Sequence, residues 1–186
     1  MEVIKMNQKY WLQYASNCIK CGLHRIGYVV IESPVTIVYS KKQVDESVCN
    51  ELGYEVYEAF NNGGTILANQ GDIVIGHMGN NANDWLNEFV EYFVVWLKDK
   101  GLNAEYIKND VLVDGYKICG MCVTRYGLID YTGGIISMNI NLDHIKQICK
   151  KPMEKVPKGL SEYGITTEEV EKMFVAFCKA NKKEEN

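Results

Sequence analysis

Two hydrophobic rhythms alternate along this chain, and the places where one gives way to the other mark out its elements. Residues 8–21 (QKYWLQYASNCIKC) set apolar side chains near helical spacing and meet Gly22, which predicts a helix with a glycine stop. Two strand-like runs follow, IGYVVIE and VTIVYS, parted by Ser33-Pro34. A short helix is predicted over 43–52, ending at Gly53, and YEVYEAF then alternates like a strand. The stretch NNGGTILANQGDIVIGH reads as a Gly- and Asn-rich loop enclosing two short apolar runs. Over 85–100, Trp85, Phe89, Tyr92, Phe93, Trp96 and Leu97 keep one apolar stripe, predicting a long helix capped by Asn83 or Asp84.

A hairpin is predicted next, then a strand (GGIISMNIN) and a helix from Leu142 that takes in Cys149. Pro152 and Pro157 bracket a lysine-rich connection. Thr166 and Glu169 form a capping-box pattern ahead of a last helix carrying Val170, Met173, Phe174 and Phe177. Strands come mostly in consecutive pairs, so the expected class is α+β: a mixed, largely antiparallel β-sheet flanked by helices. Nothing repeats and no linker divides the chain, so one domain is expected over 1–186, with a polar tail at 181–186.

Composition narrows the classes of function. A net charge of −4 gives no electrostatic footprint for nucleic acid. Arginine occurs only at Arg25 and Arg125, which leaves few bidentate clamps for phosphate or carboxylate. The absence of an apolar run of membrane-spanning length, and of a signal-peptide pattern, leads to the expectation of a cytoplasmic protein without a membrane partner. Seven cysteines, an odd number, then favour free thiols over disulfides.

The chemistry concentrates in NDVLVDGYKICGMC, residues 109–122. It reads as a polar loop, a short strand, an Asp-Gly turn and a second strand, with Lys117 just after the turn. A lysine placed there has a fixed backbone and a long reach, which suits a point charge held against an anionic or carbonyl group.

With these residues in place, the chain resembles the biotin/lipoate protein ligase family, and its lipoate ligase branch most closely. SPVTIVYSKKQ (33–43) is similar to the family's P-T/S-V-V-I-G-x-x-Q strand. VYEAFNNGGTILANQGD (56–72) is similar to V-V-R-R-x-S-G-G-G-A-V-Y-H-D-x-G-N. NDVLVDGYKICG (109–120) resembles N-D-[IL]-x-V-D-G-[RK]-K-I-[SA]-G, the most specific of the blocks, and GGIISMNINLD (133–143) resembles H-G-[ST]-L-L-L-N-x-D-L. The match runs over roughly 8–180 without the larger ligases' accessory C-terminal domain. It implies a class II synthetase-like catalytic fold.

The resemblance implies a two-stage reaction. ATP with Mg²⁺ activates lipoate, octanoate or a similar carboxylic acid as an acyl-adenylate, which then acylates a lysine of a lipoyl-domain-type carrier protein. Lys117 falls on the family's catalytic lysine. Asn62, Gly63, Gly64, Asn69, Asn109, Asp110 and Gly120 fall on substrate- and nucleotide-binding positions, with Asp110 also the metal candidate. The paired arginines of the second block are replaced by Glu58 and Ala59, its Ser-Gly by Asn61-Asn62, and its His-Asp by Ala68-Asn69. These departures keep open a catalytically inactive homologue that binds an acyl ligand. A third reading is ATP-independent, octanoyltransferase-like transfer with Cys149 as nucleophile. The pairs Cys18/Cys21, with His24 nearby, and Cys119/Cys122 raise a zinc site, but their separation of about a hundred residues favours buried thiols. His77 and His144 read as structural or exposed.

Overall fold

The computed structural model describes residues 3–38, 41–59, 64–126 and 129–181. Its strands are β1 (Val3–Lys5), β2 (Arg25–Val30), β3 (Val35–Val38), β4 (Glu55–Glu58), β5 (Ile66–Ala68), β6 (Ile73–Gly79), β7 (Ala104–Ile107), β8 (Asp110–Val113), β9 (Tyr116–Tyr126) and β10 (Ile129–Ile136). The helices are α1 (Trp11–Lys20), α2 (Glu46–Glu51), α3 (Ala82–Asp99), α4 (Leu142–Ile148) and α5 (Thr167–Ala180).

Seven strands make one sheet in the order β1-β2-β6-β10-β9-β8-β7, antiparallel throughout except for β1 beside β2. A smaller sheet, β4-β3-β5, pairs β3 parallel to β4 and antiparallel to β5. The fold is therefore α+β with a large, mostly antiparallel sheet, as the alternating runs predict. Helices α3 and α5 cover one face, where Phe89, Phe93, Phe174 and Phe177 pack on Ile73, Ile75, Val111, Ile118 and Ile136. Burying such a stripe supplies most of a helix's stability in context. The opposite face carries α1 and the small sheet, through Trp11, Val29, Ile37, Val74 and Ile135.

Several local expectations shift. Helix α3 begins at Ala82, so Asn83 and Asp84 sit in its first turn. The N-cap is Asn81, at φ 62 without a side-chain cap bond, in the left-handed region that asparagine tolerates. Cys149 lies just past the end of α4, not inside it. The capping box at Thr166 and Glu169 is present, and no helix among the described residues is long and apolar enough to cross a membrane.

Two irregularities shape the functional face. Asp114 and Gly115, at φ 51 and φ 81, make the β8–β9 turn with both central residues at positive φ, as the tightest hairpins require. Further along, the register slips: Val111 pairs with Cys119 while Leu112 pairs with Lys117. Ile118 is the extra residue of a β-bulge, and Ile118 and Cys119 both enter the core under α3 and α5. Strand alternation would have put Lys117 on that same face, with Cys119 and Met121. The bulge instead turns Lys117 to the other side, in line with Asp110, Leu112 and Gly120.

Candidate functional site

A cavity of about 470 Å³ lies between the α1 side of the large sheet and the small sheet. Its apolar walls come from Trp11 of α1, Ile37 and Leu67 of the small sheet, and Val74 and Ile135 of the large one. Its mouth is charged, with Asp110, Lys117, Lys151, Glu154 and Lys155 around the rim. An apolar chamber with polar groups gathered at one end suits a ligand with a hydrocarbon body and an anionic head.

The ammonium of Lys117 sits 2.8 Å from Oδ1 of Asp110, and that of Lys155 sits 2.6 Å from Oδ2. Burial pushes the Asp110 carboxyl up, but hydrogen bonds and charge from Lys117 and Lys155 outweigh it and hold the group below its ordinary range. Two cations on one carboxylate leave a local surplus of positive charge. Gly120 makes room for this: a methyl at its Cα would stand 2.8 Å from Cε and 2.9 Å from Nζ of Lys117. The glycine space is thus taken up by the lysine itself.

Residues beyond α4 close the rim. Lys117 N–H donates to the Val156 carbonyl (2.9 Å) and Lys158 N–H donates to the Lys117 carbonyl (2.9 Å), joining Pro157 to β9 in a parallel bridge. This is the lysine-rich connection between the two prolines, and it carries Lys151 and Lys155 onto the cavity. Its composition was visible in the sequence, but nothing there placed it opposite Asp110.

Of the sequence-derived candidates, Lys117, Asp110, Gly120, Gly64 and Cys149 line the one cavity. Asn69 and Asn109 do not line it. The Asn69 amide is held between the Tyr54 hydroxyl, from which it accepts, and the Asn139 carbonyl, to which it donates. Asn109 is exposed, and its carbonyl accepts from Met121 N–H. Asn62 and Gly63 lie outside the described residues. Glu58 is exposed on β4 and is absent from the lining, whereas Ala59 lines the cavity.

Burial and the neighbouring Cys49 raise the thiol pKa of Cys149. The four cysteines of the two pairs do not gather at one point, although Cys18 and Cys122 share a cluster on the α1 side and Cys21 is exposed. Cys119 packs under α3 and α5, while Cys122 packs on the α1 side of the same strand. Among the described residues no group of three His, Cys, Asp or Glu side chains could hold a metal ion.

One buried carboxylate escaped the sequence reading. Asp72, fully buried, accepts N–H bonds from Asn69 (2.8 Å), Met138 (2.6 Å) and Asn139 (3.0 Å). It ties the turn before β6 to the chain leaving β10, which runs on through the cavity-lining Ile140 to α4. Asp72 belonged to the matched second block, but no spacing rule marks it as buried.

A family model described as the lipoyl protein ligase A/B catalytic domain matches residues 28–176. A search of curated protein sequences gave no match. Among solved structures, one is an archaeal bi-partite lipoate protein ligase with its E2 lipoyl domain, from Thermoplasma acidophilum. It superposes with a TM-score of 0.78 at 14% identity, over 96% of this chain and 81% of that one. A T. acidophilum protein with bound lipoic acid gives 0.77 at 15%, over 96% and 83%. A lipoate-protein ligase A bound with ATP gives 0.75 at 14%, over 97% and 83%. At such identities the structural likeness establishes a shared fold.

Proposed function

The chain belongs to the lipoyl protein ligase A/B catalytic domain family, and from that premise we propose that it activates lipoate, octanoate or a similar acid with ATP and transfers it to a carrier-protein lysine. The observation that carries this reading is the Lys117 ammonium, held by Asp110 at the charged mouth of an apolar cavity. A carboxylate oxygen of the acid attacks the α-phosphorus of ATP, pyrophosphate leaves, and an acyl-adenylate forms. The carrier's neutral lysine amine then attacks the acyl carbonyl, and AMP departs with the bonding pair.

Both stages gather negative charge on oxygens between acyl carbon and phosphate, where a preorganised ammonium is most effective. The second block has lost its arginines, and Ala59 presents only a methyl to the cavity. Lys151 and Lys155 supply cations from the opposite wall. A carrier-protein partner is supported by the E2 lipoyl domain that accompanies the archaeal relative, and a cytoplasmic setting fits an ATP-dependent modification.

Magnesium normally binds through one or two carboxylates plus nucleotide phosphates. Both oxygens of Asp110 are engaged by lysines, so Asp110 would hold the ion only by releasing one of them as the phosphates arrive. When bound, the ion neutralises phosphate charge.

Thermal stability with ATP, lipoate and octanoate, singly and together, tests the reading through the linkage of binding to folding. Stabilisation by an acid and by ATP, with adenylate and pyrophosphate detected when both are present, is expected. An acid shift without any ATP response favours the non-catalytic acyl binder, which the replacement of the arginines by Glu58 and Ala59 supports. The raised thiol pKa of Cys149 weighs against ATP-independent transfer, because only the thiolate is a strong nucleophile.

Gly120→Ala gives a local test. The added methyl occupies the space of the Lys117 ammonium and pushes it off Asp110, yet only a flexible side-chain end has to move. Adenylate formation is expected to drop by about tenfold or more, while stability changes by less than about 1 kcal/mol. Unchanged rates would mean that the position of the ammonium is immaterial.

A further inference from the structure

Three glycines stand side by side on the cavity face of the large sheet. Gly27 of β2 pairs with Gly76 of β6, and Gly76 pairs with Gly133 of β10. Glycine weakens a strand interior and often marks a place where something must approach the backbone closely. Here the row leaves a trough across three strands: Met6 covers its Gly27 end, and a ring lies over the other two glycines. A methyl built on Gly133 would collide with the phenol oxygen of Tyr131, and one on Gly76 would come within 3.3 Å of the same ring.

Tyr131 thus lies along its own strand with its hydroxyl end over Gly133, toward the cavity. It is almost fully buried, at 2% exposure, and lines both the main cavity and a small void of about 10 Å³ on its far side. Met6, Ala15, Gly27, Gly76 and Met78 border that void. Lys117 and Asp110 stand at the charged mouth, while Tyr131, with Trp11 and Val74, lies between the cavity and the void.

We propose that Tyr131 determines the length of acid this protein accepts, by lying over Gly76 and Gly133 and forming the inner end wall of the acyl cavity. This rests on the acyl-site reading above. An acid anchored by its carboxylate near Lys117 runs inward along β10 until its terminal carbon meets the phenol. Each methylene buried before that point tightens binding by about fourfold. Beyond it, further methylenes find no room and gain nothing.

Removing the ring opens the space over Gly133 and Gly76 to the small void, so the limit moves to longer acids. The measurement is calorimetric affinity for straight-chain acids from butanoate to dodecanoate, on the wild type, Tyr131→Ala and Tyr131→Leu. The wild type is expected to gain affinity with chain length up to a cutoff. In Tyr131→Ala that cutoff lengthens by two or more methylenes, and in Tyr131→Leu by fewer. Comparing acids within one variant cancels its overall loss of stability.

A ring that serves only to cover the glycines would lower stability and leave the cutoff where it was, which overturns the proposal and spares the acyl-site reading. If no acid binds the wild type, both fall. Should neither variant fold, the wild type still decides: octanoate with a terminal diazirine, irradiated in the complex, is expected to label Tyr131. Labelling confined to the small sheet, at Ile37 or Leu67, overturns the assignment.

Discussion

Lys117→Ala is expected to lower acyl-adenylate formation at least about a hundredfold while leaving the protein folded. The side chain is about one-third exposed, at 36%, and its pair with Asp110 faces the mouth of the cavity. Its removal therefore leaves no stranded buried charge, since Lys155 still holds the other oxygen of Asp110. What is lost is a cation placed where charge develops. Pyrophosphate release with ATP and lipoate is the assay, with a melting curve as control. Lys117→Arg should restore little, because the planar guanidinium does not fit the small space above Gly120. Lys155→Ala is the informative partner variant. If Lys155 replaces the missing arginines, its loss raises the ATP concentration required and leaves lipoate affinity unchanged. A Lys117→Ala rate within a few-fold of the wild type would falsify the proposed role.

The second large effect concerns stability. Asp72→Ala removes the acceptor of three backbone N–H groups, that of Met138 buried and those of Asn69 and Asn139 part-buried. At about 1–3 kcal/mol for each unsatisfied donor, a loss of about 3 kcal/mol or more is expected in denaturant melts. Asp72 also makes stability depend on pH. Burial pushes its carboxyl up to about 7, against the pull of its three N–H donors. The folded protein therefore keeps this proton through a range where the unfolded chain, with an ordinary carboxylate pKa near 4, has released it.

While the folded state binds more protons, stability falls with rising pH. The contribution is fully present below about pH 4, declines between about 4 and 7, and is gone above that, amounting to a few kcal/mol. Asp72→Asn should remove this slope between about pH 4 and 7. It also carries a constant cost, because its amide nitrogen would face one of the N–H donors. If the slope survives in Asp72→Asn, another group is responsible.

Much of the architecture was legible from local pattern. The stripe from Trp85 to Leu97, the capping box at Thr166 and the Asp-Gly turn each depend on neighbours a few residues apart, where spacing alone carries the physics. The family was legible too, because Asn109 to Gly120 keep side chains and turn chemistry in fixed order. The start of α3 was less so, since only the left-handed geometry of Asn81 moves it upstream of Asn83. Lys151 and Lys155 belonged to a stretch that read as a lysine-rich connection, whose place is decided by backbone bonds to Lys117 across the fold. Asp72 carried no signal, because burial of a lone aspartate depends on donors contributed by Met138 and Asn139.

By itself, then, the sequence determined the fold class, the family and the presence of a lysine behind a tight turn. It did not determine which way that lysine points. Strand alternation assigns Lys117 to the core under α3 and α5, together with Cys119. The extra residue, Ile118, reverses the assignment, because a bulge costs one ladder position and shifts the parity of everything before it. Whether a bulge forms depends on what both faces must bury: Ile118 and Cys119 together fill the core, and Gly120 leaves the opposite side open for an ammonium. That balance exists only once the sheet is packed, and it converts a lysine on a hairpin into a charge at the mouth of a cavity.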